Sequence, residues 1–266
     1  MHSVAVPPSS VFRGNEPWSD EPEMESSSHS QQLMWLVAIL EYLWADRDDF
    51  FIGANLTVYF SPEQVKHRDF RGPDFFVVRN TEQRERRSWA IWEEGGRYPD
   101  LIVELLSSST AAVDRGLKKQ LYQDRFRTPE YFWFSPDTAE FAGFRLGTGG
   151  VYTEIVPNTQ GWRWSEVLEL YLGVVGKRLR YFTAAGELVP TPAEAAAQAR
   201  QQAEREQQRV ERAQQRAEQE RQRAEQEQQR AEQERQRANR EQQRAEQERQ
   251  RAEALAARLR ALGYEP

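Results

Sequence analysis

The chain has 266 residues, no cysteine and a formal net charge of −6 at neutral pH. This composition rules out disulfides, zinc–thiolate sites and thiol nucleophiles, and it argues against the basic field needed to coat nucleic acid nonspecifically. No basic-then-apolar leader opens the chain and no apolar run could span a bilayer, so a cytoplasmic protein without membrane contact is expected.

The charge is unevenly spread. From residue 193 onward there are 16 Arg and 15 Glu but no Lys or Asp, which leaves 20 basic and 27 acidic side chains before that point. Nearly all the aromatic residues precede it too, so the front part is long enough for one domain with a core of its own. Three regions are expected: a flexible arm over 1–26, a folded domain over 27–192 and a long charged helix over 193–266.

Residues 1–26 are rich in Pro, Ser and Glu and lack apolar periodicity, as extended arms do. Helix-start residues at 26–28 precede an amphipathic segment over 29–44, where Leu33, Leu36, Val37, Leu40, Leu43 and Trp44 share a helical face. Residues 50–60 (FFIGANLTVYF) are β-leaning, with Gly53 and Asn55 as bulge or bend points. A polar loop containing His67 follows. Gly72-Pro73 then fixes the start of a short strand, DFFVV, over 74–78.

Another short strand, 89–92, is closed by Glu-Glu-Gly-Gly. Residues 101–106 form a strand that is apolar on both faces except at Glu104, the pattern of a central strand. Hydroxyls at 107–110 suit an N-cap for a helix over 111–126. Segments 131–134, 140–146 and 151–156 read as strands and 162–172 as a short helix, and 189–192 breaks the chain before the tail. The order helix, strands, helix, strands predicts an α+β or mixed α/β fold, a mixed sheet between helices.

The tail repeats every seven residues from Arg216, with Ala at 217, 224, 231, 238, 245 and 252. A seven-residue period is the coiled-coil signature. The second seam position, however, holds Glu220, Glu227, Glu234, Glu241 and Glu248, and becomes apolar only at Leu255, with Leu259 and Leu262 continuing the seam. Ala, Glu, Gln and Arg are good helix formers, and pairs such as Glu218–Arg221 and Glu220–Arg223 add roughly 0.2–0.5 kcal/mol each. A solvated single helix and an Ala-seamed coil that self-associates through its Leu-bearing end both fit. RNA binding by the arginines is disfavoured, because alternating Glu cancels their field.

Five side chains stand out chemically. Asp74 follows a Pro at the start of a strand, Glu104 interrupts an apolar strand, and Asp114, Lys118 and Tyr122 follow at four-residue steps on the next helix. An ionised Glu inside a buried strand is costly unless it is paired or metal-bound. Two carboxylates from adjacent strands can hold Mg²⁺, which prefers oxygen ligands. Such an ion neutralises charge and lowers the pKa of a water during phosphodiester hydrolysis, and a nearby Lys can stabilise the transition state. The same spacings also describe an ordinary i,i+4 ion pair at Asp114–Lys118, a turn cap at Asp74 and a solvated strand-edge Glu104. Asp100 reads equally as a turn residue after Pro99 or a group supporting Glu104.

The combination of GPD at 72–74, PDLIVELLS at 99–107, Asp114, Lys118, Tyr122 and PEYFWFSP at 129–136 resembles the Uma-type putative restriction endonucleases, a branch of the PD-(D/E)XK nuclease superfamily. The resemblance covers roughly residues 29–175. It implies a restriction-endonuclease-like core, with Asp74 and Glu104 as ligands of Mg²⁺ or Mn²⁺. In the wider superfamily a Lys lies two residues after the strand acid. Here that position is Leu106, and the resemblance implies that Lys118 fills the vacancy, with Lys119 as the near alternative. Asp114, Tyr122 and His29 would support the site, although a His at a helix start is also a common cap or core residue. The expected activity is metal-dependent hydrolysis of DNA. The alternative is a catalytically idle nuclease fold that serves as an interaction module, assembled as a homo-oligomer through its C-terminal helix.

Overall fold

The computed structural model describes residues 26–61, 72–107 and 111–261. The expected N-terminal arm apart from Ser26, the loop carrying His67, the hydroxyl residues 108–110 and Leu262 lie outside the described residues. By its contacts the chain divides into two compact units, Met1–Ala196 and Ala197–Pro266.

The first helix, α1, spans Ser27–Leu43 and begins where Ser26, in extended backbone, accepts the His29 N–H. This N-cap satisfies one of the free donors of the first turn. Leu33, Leu36, Ile39 and Leu40 are buried. Leu43, expected on this face, is the last helical residue and stays 41% exposed. Trp44 closes the core in its place, packing edge-on against Phe50 with ring centroids 4.9 Å apart.

The strands in chain order are β1 (Phe50–Ala54), β2 (Val58–Tyr59), β3 (Phe75–Arg79), β4 (Trp89–Ala90), β5 (Leu101–Leu105), β6 (Glu130–Phe134), β7 (Phe141–Leu146), β8 (Tyr152–Glu154), β9 (Arg163–Ser165), β10 (Leu170–Val175) and β11 (Arg178–Phe182). Six of them form one mixed sheet in the order β1-β3-β5-β6-β7-β8. Its parallel pair is β5–β6 and the other neighbours are antiparallel. The parallel pair is joined by a helical segment over 111–126, called α2, because parallel neighbours need a crossover. A three-stranded sheet, β11-β10-β9, and a short parallel pair, β2–β4, complete the strands described.

The sheet is buried on both faces, and alternation along each strand decides which side chain goes where. Leu101, Val103 and Leu105 of β5 join α1, Leu172, Leu179 and Tyr181 in one core. Ile102 joins Phe76, Tyr122, Phe126 and Tyr131 in the other, beneath α2. Glu104 has the same parity as Ile102 and therefore belongs to the α2 side.

Gly53 is not a bulge: it pairs in regular register with Phe76, and a Cβ there would lie 2.1 Å from the Phe76 ring. The bend comes at Asn55, whose φ is 45°. Residues 162–172 are not a helix but β9, a turn and the start of β10. Leu170, Leu172, Leu179 and Tyr181, at two-residue steps along β10 and β11, join the core that α1 packs on, and the two-residue connection Gly176-Lys177 has positive φ at both positions, as a hairpin of matching twist requires.

The second long helix, α3, spans Pro192–Ala261. Thr191 and Glu194 form a reciprocal capping box: Glu194 N–H donates to Thr191 Oγ1 at 3.2 Å, and Thr191 N–H to Glu194 Oε2 at 2.8 Å. Pro192 takes the first helical position, where its missing N–H costs nothing. Beyond this start the described side chains of α3 are almost all exposed, and no described helix is long and apolar enough to cross a membrane.

Candidate active site

The β3–β5 register fixes the first contact. Phe75 pairs with Val103, so one residue outward Asp74 falls level with Glu104. Asp74 is held by backbone on both sides. Its carbonyl accepts the Asn55 N–H at 2.7 Å, and its Oδ2 accepts the Leu105 N–H at 2.7 Å. The Asp74 N–H approaches Glu104 Oε2 to 3.5 Å.

Glu104 is fully buried. Its Oε1 accepts the Tyr122 hydroxyl at 2.6 Å and its Oε2 accepts Lys118 Nζ at 3.0 Å. Lys118 Nζ also lies 3.0 Å from Asp114 Oδ1. Asp114 is buried as well, so this i,i+4 pair is not a surface ion pair. The structure thus brings together Asp74, Glu104, Asp114, Lys118 and Tyr122. The His29 side chain contacts backbone instead, its Nε2 3.1 Å from the Leu106 carbonyl oxygen just past β5. Lys119 is turned away, its Nζ 3.4 Å from the centre of the Phe144 ring. Asp100 accepts the Arg79 N–H at 2.7 Å, at the other end of β5.

Helical geometry explains how three residues at four-residue steps converge. Four residues overshoot an α-helical turn by about 40°, so two such steps would drift by about 80°. In α2 the α-helical turns Ala111–Val113 and Lys119–Leu121 alternate with π-helical turns Asp114–Lys118 and Tyr122–Phe126. A π turn closes i→i+5 bonds and is wider, so four residues undershoot it and the two errors offset one another. Tyr131 braces the wide turn, donating its hydroxyl to the Asp114 carbonyl at 2.7 Å. In the pattern of residues 131–134 nothing sets Tyr131 apart from an ordinary strand residue. A buried Tyr hydroxyl needs a partner, and here the Asp114 carbonyl supplies it.

Three carboxylates surround one ammonium in this pocket. Burial, followed by the like charges of Asp74 and Asp114, pushes the Glu104 carboxyl well above its ordinary range despite the opposing pull of Lys118. Burial likewise raises Asp74. Burial alone would depress Lys118, but Glu104, Asp114 and Asp74 together hold its ammonium above the ordinary value. Lys118 is therefore a fixed positive charge and not a base. Tyr122 is pushed well up by burial and by Glu104, and stays a hydroxyl donor.

The donor set fits a hard divalent cation. Its oxygens are carboxylate, and the acids outnumber the ammonium three to one, so a dication would relieve the repulsion that now favours protonation. Among the described residues no group of three or more His, Cys, Asp or Glu side chains is placed to hold a metal ion.

The sequence model of the Uma2 family, described as putative restriction endonucleases, matches residues 20–180. A crystal structure of a putative nuclease belonging to DUF820, from Anabaena variabilis, is similar with a TM-score of 0.42 at 15% identity, covering 57% of this chain and 80% of that one. The search of curated proteins gave no match.

Proposed function

The chain belongs to the Uma2 family of putative restriction endonucleases, and on that footing we propose that it is a DNA endonuclease dependent on Mg²⁺ or Mn²⁺. The observation that carries the reading is Glu104: fully buried, level with Asp74 and bonded to Lys118 and Tyr122. A structural role would favour an apolar residue in the middle of a central strand, since an unmatched buried charge is costly.

Asp74 and Glu104 would hold the cation, which when bound supplies charge neutralisation at the phosphoryl oxygens and a more acidic water. Lys118 has two tasks. Its ammonium offsets the acids while the site is empty of substrate, and it donates hydrogen bonds to the attacking water or a phosphoryl oxygen as negative charge grows there. Asp114 fixes the position of the Lys118 head, and Tyr122 fixes the Glu104 carboxylate by donating to Oε1. A lysine on the crossover helix in this way takes the place left by Leu106.

Plasmid nicking with Mg²⁺ or Mn²⁺ tests the assignment. Wild type should nick, whereas Glu104→Gln and Lys118→Ala should each lose about 10²–10³-fold or more in rate, the scale for removing one preorganised electrostatic group. Equal nicking by all three would sink it.

We also propose that α3 joins two copies of the chain. The Ala seam that runs along it ends in Leu255 and Leu259, which are 62% and 43% exposed. These two side chains support a contact between copies at that end.

A further inference from the structure

The face of the sheet that carries Glu104 continues sideways into an open cleft of about 570 Å³, within the size range of small-ligand sites. Its near wall is Trp133, the register partner of Glu104 on the neighbouring strand. Paired strands lie about 4.8 Å apart, so the indole stands one strand away from the proposed metal ligand, on the same face. Trp133 is only half-buried. The guanidinium of Arg115, which follows Asp114 in α2, lies 4.5 Å from its ring centre.

Farther along the same face Lys119 covers Phe144. Each aromatic surface is thus capped by a cation that projects from the helix bearing Lys118. The counterions are loosely committed. Arg115 bonds Glu140 at 2.6 Å, but the two side chains are 44% and 57% exposed, and an exposed pair is readily exchanged for another anion. Arg163 on the far wall pairs with Glu154, whose side chain is 58% exposed.

We propose that this cleft seats one unpaired nucleotide of single-stranded DNA beside the scissile phosphate. The base stacks on Trp133 where the Arg115 guanidinium now lies, and Arg115 exchanges Glu140 for the flanking phosphate. An aromatic face beside a mobile cation is how single strands are held without sequence readout. A base locked in a duplex cannot reach a ring set into the sheet beneath α2, so the site selects frayed, looped or single-stranded DNA. This inference rests on the nuclease reading above and adds its substrate class.

Fluorescence anisotropy of labelled oligothymidylate of about 12 nucleotides and of a duplex of equal length tests it. The full chain is used, with Ca²⁺ replacing Mg²⁺ to hold back cleavage. Wild type should bind the single strand about tenfold tighter than the duplex or better, and Arg115→Ala and Trp133→Leu should each weaken single-strand binding by roughly 5- to 100-fold, the range for one stacked base. Trp133→Phe should keep most of the affinity, which separates stacking from general damage, and Arg115→Ala alters an exposed side chain. No single-strand binding, equal affinity for the duplex, or unchanged binding by both weakened variants would overturn the proposal. Binding that depends on Trp133 and Arg115 without any nicking would leave the cleft standing and remove the catalytic reading. Nicking by wild type with Trp133 and Arg115 irrelevant to binding would do the reverse.

Discussion

Glu104 makes proton affinity the controlling quantity of the pocket. Its folded-state pKa is raised well above the ordinary 4.5, so between those two values the native chain keeps a proton that the unfolded chain releases. Stability must then fall as pH rises from about 4.5 through the folded value, because the native state binds more protons across that window. Asp74, raised in the same sense, adds to the slope, while Lys118 stays charged throughout and adds none. In metal-free protein, calorimetry at rising pH above the ordinary 4.5 should therefore show the melting temperature of wild type falling relative to Glu104→Gln, which cannot ionise. The expected size is about 2–4 °C for each kcal/mol lost. Added Mg²⁺ should reverse the trend, because ligands must be deprotonated to bind. Parallel pH profiles for the two proteins would show that Glu104 is ionised without a metal. The carboxylates themselves were legible in the sequence from an acidic residue in an apolar strand and another after Gly-Pro. Their depth and their neighbours were not, because burial is set by what packs on a residue from elsewhere.

At the scale of elements, α2 shows why four-residue spacing alone is an incomplete guide. It correctly groups Asp114, Lys118 and Tyr122, yet a regular α-helix would splay them, and the alternating π turns bring them back together. The first of those turns takes a tertiary bond, from the Tyr131 hydroxyl to the Asp114 carbonyl, which no local pattern announces. The tail is the opposite case. Its helicity follows from composition and from the Thr191–Glu194 capping box, both local, although its described ion pairs include Arg221–Glu225 and Glu206–Arg209 where Glu218–Arg221 and Glu220–Arg223 were expected. Glu at the second seam position keeps most of the helix from pairing tightly, since a stable seam wants two apolar residues per heptad. If the Leu-bearing end joins two copies, light scattering should give a dimer or larger for wild type and a monomer for Leu255→Glu combined with Leu259→Glu. A monomeric wild type would end that proposal.

Across the folded unit, one buried carboxylate ties the two larger sheets together. Glu130 opens β6 and is 1% exposed. Its Oε1 accepts Arg145 Nη2 at 2.9 Å and the Glu166 N–H at 2.8 Å, and its Oε2 accepts the Ser165 hydroxyl and the Val167 N–H. Removing one partner of such a network leaves the others buried and unmatched. Urea unfolding of Glu130→Ala should accordingly show a loss of about 3–5 kcal/mol. Nicking by the folded fraction should be retained, because Glu130 lies level with Leu101, at the end of β5 away from Glu104. A loss under about 1 kcal/mol would make the network ornamental. By itself the sequence determined the acids and lysine available for chemistry, the central apolar strand, the mixed α/β class and the helical tail, since each is written in neighbouring residues and short periods. Only the tertiary structure decided that residues 163–182 form a second sheet, that Asp74 stands level with Glu104, and that Lys118 reaches it from a widened helix. Those outcomes depend on strand register and side-chain packing between segments far apart in the chain, where each local pattern allows more than one partner.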